Sequence, residues 1–385
     1  MYKLDLSRKN QTEVNNYLCN PIYYDNTNNI DISINTLSFI PKEIGNFSNC
    51  LELNCNYNQL TTLPEEIGDL IKLTQLKCNF NLIETFPKRL IELQNLECLE
   101  LDKFTHNTNN IFPKEILELN NLKYLTISFK NDLCVKIPNE INKLSNLVKF
   151  KCNMSKVKFI PKELFDCINL EHLEMEYNEL MFIPKEIGKC KKLKTLMLYH
   201  NDIEYLPDEL FDCVNLQKLY LKTNKLTKLS DKIGNLNKLV ECNFDYNCIK
   251  KIPVTMSNCK NIEIFSLSCN GITEFPKEMC YLDNLYLLNL STNQIDKLPD
   301  EFGNLIMLNK LWIQDNNLIV YPESMVYCYH LDFIHDENNS IDIWKMSDQL
   351  RTIYKHIKIC REHPFKKQYL ERLCIENHIK SIHTI

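Results

Sequence analysis

Residues 193–215 read LKTLMLYHNDIEYLPDELFDCVN, and residues 216–238 read LQKLYLKTNKLTKLSDKIGNLNK. Set one above the other, they share L-x-x-L-x-L-x-x-N-x-(I or L)-x-x-L, with Ile203 in one and Leu226 in the other at the eleventh place, and a following turn segment whose proline slot holds Pro207 in one and Ser230 in the other. The same register runs along the chain: twelve of the fourteen prolines fall at 41, 64, 87, 113, 138, 161, 184, 207, 253, 276, 299 and 322, a step of 23 residues nearly throughout. Six residues before the proline slot stands a second ladder: Asn35, Asn58, Asn81, Asn178, Asn201, Asn224, Asn247, Asn270, Asn293, Asn316 and Asn339. Five of the six glycines (Gly45, Gly68, Gly188, Gly234 and Gly303) share a third slot, four residues after the proline position. Three ladders in one register define a repeat and replace the reading of 385 residues as two or three globular domains.

The repeat has a physical form. Its central x-L-x-L-x alternates with period two, as a short strand whose leucines point inward must. A lone unit of this length cannot bury its apolar face, so neighbouring units stack and share one core. Fourteen strands at roughly 4.8 Å spacing make a parallel sheet about 65 Å long. The ladder asparagine is predicted to be buried, bonding turn backbone, since an unpaired amide would cost about 1–3 kcal/mol. Proline fixes φ and removes a donor where the chain turns onto the other face, which predicts short irregular or 3₁₀ segments there.

With some eight positions recurring per unit, the pattern resembles the leucine-rich repeat family, and the 23-residue length with its L-P-x-x-I segment looks most like the intracellular Ras-group type. The expected fold is therefore an α/β solenoid: a curved leucine-rich-repeat arc with a parallel β-sheet on the concave face and short turns or 3₁₀ segments on the convex face. Residues 1–26 are expected to form an N-terminal cap or degenerate first repeat, 27–341 about fourteen repeats, and 342–385 a small helical C-terminal cap. The helical reading of the tail rests on Leu350, Ile353, Ile357 and Cys360 at helical spacing behind Ser347 as N-cap, and on a second apolar set after Pro364.

Two units are irregular. Three extra residues lie around Thr105 to Asn107 and two around Asn131 and Asp132, and Phe104, Lys130 and Ser155 replace the ladder asparagine. These positions read as repeat decay in tolerant loops, with a kink or loop used by a partner as the alternative. Cys55, Cys78 and Cys152 occupy the second inward strand slot, while Cys167, Cys190, Cys213, Cys259 and Cys328 take a leucine position, so they are expected to act as small buried hydrophobes. A long chain opening on MYKLDLSRKN, without an apolar leader, reads as cytoplasmic with free thiols.

Several function classes are disfavoured. A net charge of −5 supplies no dense cationic surface for nucleic acid. No stretch approaches a membrane span. Six glycines, five of them in the repeat slot, leave a single one, too few for a phosphate-cradling loop, and the flanks are too short for a catalytic domain. No enzyme activity, cofactor or metal is expected. One arrangement stays open: Cys360, His363, Cys374 and His378 are zinc-compatible ligand types on the two tail helices, although those cysteines also serve as cap hydrophobes.

The remaining expectation concerns the outward strand positions. Across four rungs they include His172, Glu174, Glu176 and Tyr177; Met197, Tyr199 and His200; Lys218, Tyr220 and Lys222; and Asp245 and Tyr246. Aromatics within a charged rim have the composition of protein interface hot spots. These twelve residues are the candidate partner-binding set of a non-enzymatic scaffold. The resemblance implies partners such as a small GTPase, a kinase, a phosphatase or a ligase component. The alternatives are an adaptor acting through the C-terminal helices and, less favoured, an effector enzyme.

Overall fold

The computed structural model describes residues 2–104, 112–129 and 134–362. The insertions around Thr105 and Asn131, Lys130, the second tail helix, and His363, Cys374 and His378 all lie outside the described residues. The described chain divides into two compact units, residues 1–202 and 203–385.

In the first unit, strand Tyr2–Asp5 pairs in parallel with Thr27–Asp31, and each later strand adds beside the one before it, ending at Thr195–Met197. Register follows the repeat: Leu173 lies opposite Leu196, its equivalent 23 residues on. The second unit is built the same way, from Lys218–Tyr220 to Phe333–His335. Inward leucines such as Leu173, Leu196, Leu219 and Leu288 are fully buried. Each of the twelve repeat prolines precedes a short 3₁₀ segment, for example Lys185–Lys189 and Asp208–Asp212. Where Ser230 stands in the proline slot, its side chain caps the segment by accepting from the Lys232 amide.

The asparagine ladder ties neighbouring rungs together. Asn201 donates through Nδ2 to the carbonyls of Leu198 in its own rung, at 3.0 Å, and Met175 in the preceding one, at 2.9 Å. Its Oδ1 accepts from the Leu180 amide at 3.0 Å. Ser155, which lacks the amide, substitutes with its hydroxyl: Oγ donates to the Asn153 carbonyl at 2.7 Å and accepts from the Phe129 amide at 3.1 Å. The glycine slot exists because successive 3₁₀ segments approach closely; a Cβ on Gly303 would sit 2.0 Å from the Ser324 carbonyl oxygen. The buried thiols fill the core as apolar residues do, and Cys55 Sγ meets Cys78 Sγ at 3.1 Å.

Two features add to the sequence expectations. An eight-residue helix, Gln11–Leu18, follows the first strand and buries Val14 and Leu18. Asn10 and Glu13 cap it reciprocally, Asn10 Oδ1 accepting from the Glu13 amide and its Nδ2 donating to Glu13 Oε1. The residue preceding the asparagine slot adopts a left-handed backbone in rung after rung, including Ile34, Tyr57, Phe80, Tyr177, His200 and Tyr246, with φ between 53° and 57°. Such a conformation is uncommon outside glycine, asparagine and aspartate.

At the other end, the expected helix spans Asp348–Glu362, its first turn capped by Ser347 Oγ accepting from the Leu350 amide. Leu350 and Ile357 are buried, and Ser347 Oγ also donates to Glu323. The last rung carries Asp336 in an inward leucine position, buried, where it accepts from Tyr321 Oη at 2.9 Å, Tyr354 Oη at 2.9 Å and Lys358 Nζ.

Candidate functional site

The twelve candidate residues divide between the two units, seven on the first and five on the second. On the first, strand alternation sends His172, Glu174 and Met197 to the face opposite the leucines, all partly exposed. The left-handed turn after each strand then turns Tyr177 and His200 outward. Those two rings stack with centroids 4.3 Å apart and planes 9° apart, and Tyr199 meets both edge-on, at 5.4 Å and 5.8 Å. Beside this cluster Lys149 Nζ pairs with Glu174 at 2.7 Å, and Lys194 Nζ with Glu171 at 2.6 Å. Burial, with Lys149 nearby, lowers the His172 pKa and favours its neutral form.

Glu176 departs from its expected role. It is only 8% exposed, and its carboxylate accepts from Asn153 Nδ2 at 2.6 Å and from the Tyr199 hydroxyl. Burial raises its pKa, while those two hydrogen bonds oppose the shift. Burial and the bond to Glu176 also raise the Tyr199 pKa. Glu176 is thus a cross-rung acceptor that holds Tyr199, and it offers a partner little surface.

In the second unit Lys218 Nζ pairs with Glu241 at 2.8 Å, and the Tyr220 hydroxyl donates to the same carboxylate. Burial works against ionisation of Glu241, but Lys218 and Tyr220 together hold its pKa below the usual value. Lys222 Nζ lies 5.3 Å from the centre of the Tyr246 ring, which is exposed. Asp245 repeats the correction made for Glu176: it is 6% exposed and accepts from Ser266 Oγ at 2.5 Å and the Ser268 amide at 2.7 Å.

Both corrections have one cause. The slot two before the ladder asparagine holds short polar residues in many rungs, among them Asn56, Asn79, Asn153, Ser268 and Ser291, which hydrogen-bond to the neighbouring rung. That column was visible in the sequence as a polar ladder and is the signal that marks Glu176 and Asp245 as structural. Among the described residues there is no group of three or more potential metal ligands and no helix long and apolar enough to cross a membrane.

Comparisons with known proteins agree with this architecture. Family models match as a leucine-rich repeat region at residues 38–169 and as leucine-rich repeats at 168–226 and 284–305. A leucine-rich repeat protein of Leptospira interrogans is 31% identical, with a TM-score of 0.78, over 86% of this chain and 82% of that one. An internalin of Listeria monocytogenes shares the fold at 19% identity and a TM-score of 0.67, over 81% and 86% of the two chains. The ectodomain of an Arabidopsis thaliana receptor kinase, solved in complex with Casparian strip integrity factor 2, matches at 22% identity and a TM-score of 0.51, over 82% and 50%. No curated protein matched. On its repeat, its rung-by-rung hydrogen bonding and its likeness to the Leptospira protein, the chain belongs to the leucine-rich repeat family.

Proposed function

We propose that the protein is a non-enzymatic scaffold that binds a protein partner on its strand faces. Leucine-rich repeat proteins are in general protein-interaction modules. The observation that carries the reading here is the Tyr177, Tyr199 and His200 cluster, three rings held against one another on the outer side of the first unit's sheet. Stacking and the Glu176 bond restrict these rings before any partner arrives, which lowers the ordering cost of binding. The neighbouring ion pair Lys149–Glu174 leaves the surround polar but locally balanced, the composition of an interface rim. On the second unit Tyr220, Lys222 and Tyr246 supply a patch of the same chemistry.

The adaptor alternative is weaker, because the terminal helix has Leu350 and Ile357 buried and Tyr354 and Lys358 committed to Asp336. Thiols in leucine positions, which persist in a reducing compartment, support cytoplasmic residence. The test is affinity purification from native cells with wild-type protein and a Tyr177→Ala/His200→Ala variant side by side. A partner recovered by the first and lost by the second supports the reading, and equal recovery by both contradicts it. The recovered protein also decides among GTPase, kinase, phosphatase and ligase component.

A further inference from the structure

The second unit carries another surface, on the rungs from Ile262 to Asn339. Along most of the chain the third residue of each rung, the first outward strand position, is polar or small, as at Asn29, Glu52, Gln75, Cys98, Lys149, His172, Thr195, Lys218 and Glu241, with Tyr124 the exception. In the last four rungs that position becomes Ile264, Leu287, Lys310 and Phe333, aligned in register across adjacent strands. The next outward column ends in Trp312 and His335. Trp312 packs against Phe333 with ring centroids 5.3 Å apart, and Phe333 lies 6.4 Å from His335. Ile264, Leu287, Trp312 and Phe333 all remain partly exposed. Lys310, the one charged residue of that column, holds its ammonium 5.9 Å from the centre of the Tyr286 ring.

The margins of this surface are acidic. Glu263 and Asp332 stand where the strands begin, and Asp315 and Glu337 where they end, four carboxylates against the single lysine of the face. Glu263, Asp315 and Glu337 are exposed. His335 Nε2 lies 3.3 Å from Glu337 and adds positive charge only when protonated. A bulky apolar centre between two acidic margins is complementary to a segment with a large apolar anchor and basic residues on either side. Nucleic acid and anionic lipid would meet like charge there.

We propose that the strand face centred on Trp312 docks a basic, apolar-anchored protein segment, at a location separate from the Tyr177 cluster. Trp312 and Phe333 supply the hot spot, and the carboxylates set orientation and association rate.

The test uses the full chain and two short fluorescein-labelled peptides: one alternates lysine with leucine and phenylalanine, and the other replaces each lysine by glutamate. Fluorescence anisotropy is expected to show the lysine peptide binding at least about tenfold more tightly than the glutamate peptide, with an advantage that shrinks as salt rises. Trp312→Ala should weaken the lysine peptide by about tenfold or more. Glu263→Lys with Glu337→Lys, which changes only exposed carboxylates, should abolish the lysine preference. Tyr177→Ala/His200→Ala should leave this binding intact, so failure here and failure of the scaffold reading are distinguishable. Equal affinity for the two peptides, or a lysine preference that survives the charge reversal, would overturn the proposal even if Trp312→Ala did not fold. Undiminished binding by a folded Trp312→Ala would do the same.

Discussion

Tyr354 of the terminal helix donates its hydroxyl to Asp336 of the last rung at 2.9 Å. Tyr321, from the turn before that rung, reaches the same carboxylate oxygen at 2.9 Å, and Lys358 bonds the other. A carboxylate in a leucine position would be costly without partners, and here three donors offset its burial. The arrangement ties the helix to the end of the repeats through one buried group.

If the helix caps the repeats, Lys358→Met, which removes a charged donor and keeps the apolar stem, should destabilise the protein by about 1–3 kcal/mol. Deleting residues 347–385 should lower Tm further or cause aggregation, because the apolar end of the last rung becomes exposed. Thermal melts of the two variants check this; an unchanged Tm for the deletion would make the helix an appendage.

The asparagine ladder leads to a second expectation. Asn224 is 8% exposed, donates to the Leu221 carbonyl at 3.1 Å and accepts from the Ile203 amide at 3.0 Å. Asn224→Ala should cost about 1–3 kcal/mol, since it strands the buried backbone groups that the amide bonds. Denaturant titration measures it, and a change of only a few tenths would remove the structural role.

A third concerns pH. Burial raises the pKa of Glu176 in the folded state, so its contribution is most favourable below the unfolded value of about 4.5 and is lost as pH rises through the raised folded value. Glu176→Gln should therefore raise Tm at neutral pH, and the gain should shrink as wild type is acidified through that window. A gain that does not depend on pH would mean that ionisation of Glu176 is not its source.

Much of this was legible in the sequence. The inward positions of Leu173 and Leu196 follow from period two, and the bonding of Asn201 from a 23-residue step that leaves few other uses for an amide. Less legible was the left-handed turn at Tyr177, because tyrosine carries no local signature for it, and the same conformation recurs at Met154, where serine follows in place of asparagine. The burial of Glu176 depends on Asn153 in the neighbouring rung, a relationship that reading one rung at a time does not expose. The Gln11–Leu18 helix is too short for a clear apolar period, and its capping pair, Asn10 and Glu13, was not recognised in the sequence. Of the outward residues, alternation identified position but not exposure, which is why Glu176 and Asp245 had to be reassigned.

The most direct measurement is calorimetric titration of the partner recovered from native cells against three proteins: wild type, Tyr177→Ala/His200→Ala, and Leu198→Ala. Leu198 is fully buried, so its truncation should cost about 2–5 kcal/mol of stability yet leave affinity intact at temperatures where the variant is folded. Tyr177 and His200 stack outside the core, so their removal should barely move Tm and should weaken binding by about 2 kcal/mol or more, roughly thirtyfold. Full affinity in the Tyr177→Ala/His200→Ala variant, at an unchanged Tm, would contradict the assignment of this strand face as the binding surface.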